Sequence, residues 1–268
     1  MTQINLKPDT QTPEMQAYEP STSLSAKISR KLLPLQARRN LRFKLERPII
    51  SFTFDDFPRS ALTNGAQRLE AQDWRATFYV AAGLMGIENH HGESFTETDL
   101  ALLQSNGHEI AGHTFSHLDC SQCSAEQINA EIERNNTALT ALGVTDTIEH
   151  FAWPYGTATA AHKTALGRYF KSMRGVRSGV HHNSVDLNCL KSTPLFSGAE
   201  FETALEQVQA LNKRPGWLIF FTHDVRDEPS KWGITPQDFE KIIEAVKVSG
   251  ADVLPVGKAL NKLESNYD

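Results

Sequence analysis

Short apolar runs alternate with longer segments of helical period along most of this chain. Ile49–Phe54 is an apolar run of strand length, and Thr77–Val80 and Glu109–Gly112 repeat the pattern. Further strands are expected at 148–152, near Lys171–Val176, at Trp217–Phe221 and at Asp252–Leu254. Between them lie helix start signals. Thr96 with Asp99, Ser124 with Gln127 and Ser197 with Glu200 each read as capping pairs. Thr235 before Pro236 reads as an N-cap followed by a proline at the first helical position. These signals predict helices ending near Ser105, Leu142, Asn212 and Ser249. Others are expected over Asn64–Ala71, from Thr159, and over Val256–Leu263.

Strands that alternate with helices predict parallel βαβ units. About seven such units is the size of an α/β barrel, with an open doubly wound sheet as the competing arrangement. No G-x-G-x-x-G follows a strand, so a dinucleotide site has no support.

Composition narrows the picture. The 268 residues are 40% hydrophobic, enough for a sizeable core, and carry a net charge of −5. That balance argues against nucleic acid as a partner, because such domains usually run basic. Residues 1–26 are polar and aperiodic. Residues 27–47 carry eight Lys and Arg against Glu46, with Pro34 interrupting any single helix. The segment reads as a solvated, partly helical lead-in, or as a patch for peripheral contact with anionic lipid. The expected division is an N-terminal arm over 1–47 and a catalytic domain over 48–268. Three cysteines, Cys120, Cys123 and Cys189, are too few for a disulfide framework and suit a reducing compartment. No signal peptide or membrane span is evident, so a cytoplasmic location is expected.

The polar groups gather at equivalent places. Asp55 and Asp56 follow the first strand, His113 the third, Pro154-Tyr155-Gly156 a fourth, and His223-Asp224 the Trp217–Phe221 run. In a β/α barrel, residues just past the strand ends meet on one face, where the active site lies. On a helical turn, His113 and His117 would share one face and could bind one ion, with Asp56 or Asp55 as a third ligand. Such a set suits zinc, cobalt, nickel or iron. Two adjacent carboxylates resist joint ionisation unless a cation takes one and the other serves as a base.

The ordered motifs TFDD, H-T-x-x-H, F-x-x-P-Y-G and T-H-D resemble those of the polysaccharide deacetylase family, the NodB-like carbohydrate esterases. The resemblance covers residues 48–263. It implies an α/β fold, a distorted barrel of about seven parallel strands. It also implies removal of N- or O-acetyl groups from an amino sugar with one divalent metal, zinc first, cobalt or nickel next. By position, Asp56, His113 and His117 resemble the metal ligands, Asp55 the base, Tyr155 the oxyanion donor through its backbone N–H, and His223 the acid. Phe221 stands where a leucine usually lines the acetyl pocket. Many members carry an arginine where this chain has Ala152; Arg174 or Arg177 is the expected substitute. Asp186 is the candidate for the acid that orients His223.

Trp153 and Trp232, near motif ends, are candidates for stacking on sugar, and Trp217 for the core. Cys120 and Cys123 read as reduced thiols near the metal pocket. His90-His91 and His181-His182 read as solvated loop pairs. The expected substrate is a lipid- or nucleotide-linked intermediate of surface glycan assembly. The alternatives are hydrolysis of a non-sugar amide or cyclic ureide, and carbohydrate binding on a retired catalytic fold.

Overall fold

A computed structural model describes residues 35–265. The basic residues at 27, 30 and 31 lie outside the described residues, as do positions 1–26. Strand β1 (Asn40–Arg42) pairs antiparallel with β9 (Ser184–Asp186), and Phe43 is buried. The described part of the basic segment is therefore a strand stitched into the domain. The expected helical lead-in is absent from 38–47.

The main sheet is parallel. Its strands are β2 (Ile49–Asp55), β3 (Thr77–Val80), β6 (Glu109–Gly112), β7 (His150–Ala152), β8 (Ser172–Arg174), β10 (Thr193–Pro194) and β11 (Trp217–Thr222). Their order across the sheet is β10-β11-β2-β3-β6-β7-β8. Strand β12 (Asp252–Val253) pairs with the first residues of β2. Every residue of β2 and β11 is buried, as continuous apolar runs covered on both faces should be. The sheet curls until its edges meet through one short stretch. Leu190 exchanges backbone hydrogen bonds with β8, while β10, three residues on, pairs with β11. This is the expected distorted barrel.

Helices over Glu97–Ser105 and Ala125–Ala141 begin with the expected capping boxes at Thr96 and Ser124, and Thr235 caps Pro236–Ser249. The Ser197–Glu200 pair does not form. Gly198, at φ 94°, starts the Ala199–Leu211 helix, and Ser197 Oγ instead accepts from Thr235 N at 3.0 Å. The helix expected at 64–71 starts earlier, with a π-wound turn over Ala61–Ala66. Sequence patterning missed β1, β9, β10 and a hairpin of β4 (Glu88–Asn89) and β5 (Gly92–Glu93). Among the described residues no helix is long and apolar enough to cross a membrane.

Candidate active site

The strand ends of β2, β6, β7 and β11 carry the polar groups to one rim of the barrel. Eight non-glycine residues among those described have positive φ, and five of them are Asp56, Phe57, Thr114, His117 and Tyr155. Strained backbone of this kind persists where surrounding structure fixes it, and it clusters at functional sites. His113 and His117 do not lie on a helical turn. Their segment is a loop, and the left-handed conformations of Thr114 and His117 bring the second imidazole back to the first.

Ligand atoms of Asp56, His113 and His117 all fall within 4.8 Å of one another. Asp56 Oδ1 is 3.6 Å from His113 Nε2 and 3.4 Å from His117 Nε2. It is buried and has no hydrogen-bond partner among the described residues. An anionic oxygen left bare between two nitrogens, just beyond hydrogen-bond reach, has the spacing of ligands that share an ion at about 2.0–2.2 Å. His113 Nδ1 donates to the Ala152 carbonyl at 2.9 Å, which leaves the Nε2 lone pair for the ion. Burial, with His117 adding to it, lowers the His113 pKa to about 4, so the ring is in its neutral, ligating form.

Asp56, His91 and His223 form a second close group. Here the imidazoles lie parallel, at 6° and 4.5 Å between centroids. Their in-plane lone pairs run side by side and do not converge on one ion. The rings of His113 and His117 are inclined by 54°. The first group is therefore the better cation site.

Asp55 has its two oxygens in different circumstances. Oδ2 accepts from Arg174, whose guanidinium is fully buried between the rings of Tyr79 and Phe221. Arg174 also donates to the Gly175 carbonyl at 3.0 Å and to Ser192 Oγ at 3.1 Å, which fixes the fork. Asp55 Oδ1 is buried with no hydrogen-bond partner among the described residues. Ala152 of β7 and Arg174 of β8 are paired in register. The arginine lacking at 152 thus arrives from the neighbouring strand. Arg177 lines a different cavity.

His223 Nδ1 donates to the Trp232 carbonyl at 3.2 Å. Burial, followed by the neighbouring His91, lowers its pKa, while Asp55 and Asp56 oppose the shift. Asp186 does not orient it. That carboxylate binds Lys163 Nζ at 3.0 Å and the backbone N–H groups of Arg39 and Asn188. The acid at the site is Asp224, and it holds a different histidine. His91, at the tip of the β4–β5 hairpin, is buried and places Nδ1 3.1 Å from Asp224 Oδ1 and 3.0 Å from Ser230 Oγ. Burial works to raise the Asp224 pKa, but hydrogen bonds from His91 and Ser230 outweigh it and hold the carboxyl below its usual range. Sequence reasoning left His91 in solvent. Only its neighbour His90 is exposed.

The polysaccharide deacetylase family model matches residues 43–169, which include Asp55, Asp56, His113, His117 and Tyr155. Over those residues this chain is similar to the polysaccharide deacetylase family. A curated relative, a chitin deacetylase of Pestalotiopsis, is 23% identical over 218 residues, covering 81% of this chain. The match spans 65% of that relative's length. Among solved structures, the Xyl-CE4 domain of a multidomain xylanase from the hindgut metagenome of Trinervitermes trinervoides has 24% identity and a TM-score of 0.55, covering 81% of this chain and 91% of its own. A family 4 acetyl xylan esterase from Clostridium thermocellum, in complex with a cobalt ion, has 22% identity and a TM-score of 0.54, covering 78% and 89%. Bacillus subtilis PdaA, a family 4 carbohydrate esterase, has 14% identity and a TM-score of 0.58, covering 87% and 88%. At these identities the likeness establishes the fold, and it extends past residue 169 into the part of the chain that carries Arg174.

The remaining expected residues divide. Phe221 is 6% exposed and packs edge-on against Phe196 beside Arg174. Trp232 is half-buried at the rim, 5.0 Å from the His90 ring, with the Lys231 ammonium 4.1 Å from its centroid. Tyr155 sets its ring edge-on to His117 at 4.5 Å. Trp153 does not reach the site. It is 1% exposed in a cluster with Cys120, Phe151, Leu166 and Phe170, because consecutive strand residues face opposite sides of the sheet. Trp217 is core, as expected, and donates to Ser51 Oγ at 2.9 Å. Cys120 and Cys123 are free thiols; burial raises both pKa values, and Cys120 packs with Trp153 in the core. His181 is buried too, and its Nε2 accepts from Lys191 N at 3.0 Å.

Proposed function

We propose that this chain hydrolyses the acetyl amide of an N-acetylated amino sugar in a glycan or glycan precursor, with one divalent cation on Asp56, His113 and His117. The observation that carries the reading is Asp55, with one oxygen pinned by Arg174 and the other bare beside that cluster. A cation held there would lower the pKa of its water to about 7 and polarise the amide carbonyl. Zinc suits two imidazoles and a carboxylate, with cobalt next.

The chain's own groups supply the proton transfers. Asp55 Oδ1 takes a proton from the attacking water as the new C–O bond forms at the acetyl carbon. Charge develops on the former carbonyl oxygen, and the backbone N–H of Tyr155 donates to it; such a donor contributes about 3 kcal/mol. His223, doubly protonated where the Asp55 and Asp56 charges favour the imidazolium, gives a proton from Nε2 to the nitrogen as the C–N bond breaks, and the proton held on Asp55 replaces it, releasing acetate and a free amine. Phe221, two residues before His223, closes the acyl pocket to groups much larger than acetyl. Trp232 offers a face to the sugar at the rim.

Acetate release from N-acetylated amino sugars, alone and in short oligomers, tests the reading. Cation-loaded protein that releases acetate from none of them, while still binding them, would favour the retired binding fold.

His91 acts through its neighbour. Stacked on His223 and held by Asp224, it fixes the acid's ring. A His91→Ala change should lower amide hydrolysis about tenfold or more. It should leave hydrolysis of an aryl acetate, whose phenolate departs without a proton, within about twofold. Equal losses on both substrates would show that His91 only supports the fold.

A further inference from the structure

A second cavity lies outside the catalytic cluster. It has a volume of about 300 Å³ and is lined by Leu35, Arg38, Arg177, His182, Asp186 and Lys191, among others. Among the described residues Asp186 is the one carboxylate in that lining, and its oxygens are engaged by Lys163, Arg39 N and Asn188 N. The guanidinium groups of Arg38 and Arg177 have no hydrogen-bond or ion-pair partner among the described residues. Lys191 Nζ donates to the Val180 carbonyl at 3.1 Å. Burial, then the charges of Arg177 and Arg38, lower its pKa, so the three cations feel one another.

A chain of net charge −5 thus gathers three cations around one hollow with no free counter-charge among the described residues. We propose that this cavity binds a phosphate-bearing ligand, with Arg38, Arg177 and Lys191 holding a diphosphate or phosphate monoester. Guanidinium forks match phosphate oxygens in pairs, and an ammonium adds a point charge. A multiply charged anion offsets the cluster, whereas a single carboxylate would leave most of its repulsion in place. Leu35 and Val180 give the carrier of the phosphate an apolar contact.

The cavity shares a wall with the catalytic rim. Ser192 donates from its backbone to the Arg177 carbonyl at 3.0 Å, and its hydroxyl accepts from Arg174. Arg177 lies three residues past Arg174, about 10 Å of chain at most. The proposal goes beyond amide hydrolysis and does not rest on it, since the cavity contains none of Asp55, Asp56, His113, His117 or His223.

Calorimetric titration of the full chain with inorganic pyrophosphate, in chelator and at low salt, tests the site without any cation on Asp56. Saturable one-site binding is expected. The Arg38→Ala/Arg177→Ala double variant should weaken it about tenfold or more, and Lys241→Ala, an exposed charge elsewhere, should not change it. These arginines support no other group, so the double variant should melt like the parent. Absence of saturable binding, or binding unchanged in the double variant, overturns the proposal. Co-sedimentation with phosphatidylglycerol vesicles separates the sources. Retention that pyrophosphate competes away identifies a lipid-borne phosphate in this same cavity. Retention without pyrophosphate binding would show a diffuse membrane surface and overturn the discrete site.

Discussion

An Arg174→Ala variant is expected to lose roughly a hundredfold in amide hydrolysis and about 3–5 kcal/mol in stability. The guanidinium and Asp55 are both buried, so removing one leaves the other's charge uncompensated. In the proposed mechanism the activity loss follows from position, because holding Oδ2 is what leaves Asp55 Oδ1 bare to take the proton. The informative experiment adds a second change. Ala152 is the register partner of Arg174 on the adjacent strand. Placing the arginine there, in Arg174→Ala/Ala152→Arg, should return most of the lost activity and stability by offering a guanidinium to the same carboxylate. Acetate release and thermal melting of the parent, single and double variants give the comparison. A double variant no better than the single would show that Arg174 acts through Ser192 and Gly175, and that Asp55 does not need it as a clamp.

Asp55→Asn is expected to lower the turnover of an N-acetylated amino sugar by about a thousandfold. The amide keeps the size of the carboxylate but cannot take a proton. Because Asp55 is not among the proposed ligands, the variant should retain its full complement of cation. Substrate affinity should change little, so the loss belongs in kcat. Metal content measured beside kcat and KM separates this from the alternative: a variant that loses the cation along with its activity would make Asp55, and not Asp56, the ligand.

The sequence made most of the fold legible because β2, β3 and β11 are buried on both faces and read as largely apolar runs. Strands β1, β9 and β10 are two or three residues long and carry no period, so their positions depend on partners far along the chain. The Asp and His residues at strand ends were legible for the same reason as the strands. Their supports were not. Arg174 reaches Asp55 across 119 positions, and His91 reaches Asp224 across 133. Trp153 was misplaced because nearness to a motif does not tell which side of a strand a residue faces; Ala152 lies with Tyr79 and Ala111, while Trp153 turns toward Leu166 and Phe170. Asp224 held a usable hint, since an acid directly after His223 needs a partner of its own.

Anomalous diffraction at the zinc edge, from crystals of zinc-loaded protein, addresses the centre of the account most directly. The account predicts one strong peak about 2.0–2.2 Å from Asp56, His113 Nε2 and His117 Nε2, with Asp55 Oδ1 outside bonding distance. A peak between Asp56, His91 and His223, or no peak near Asp56, would contradict it.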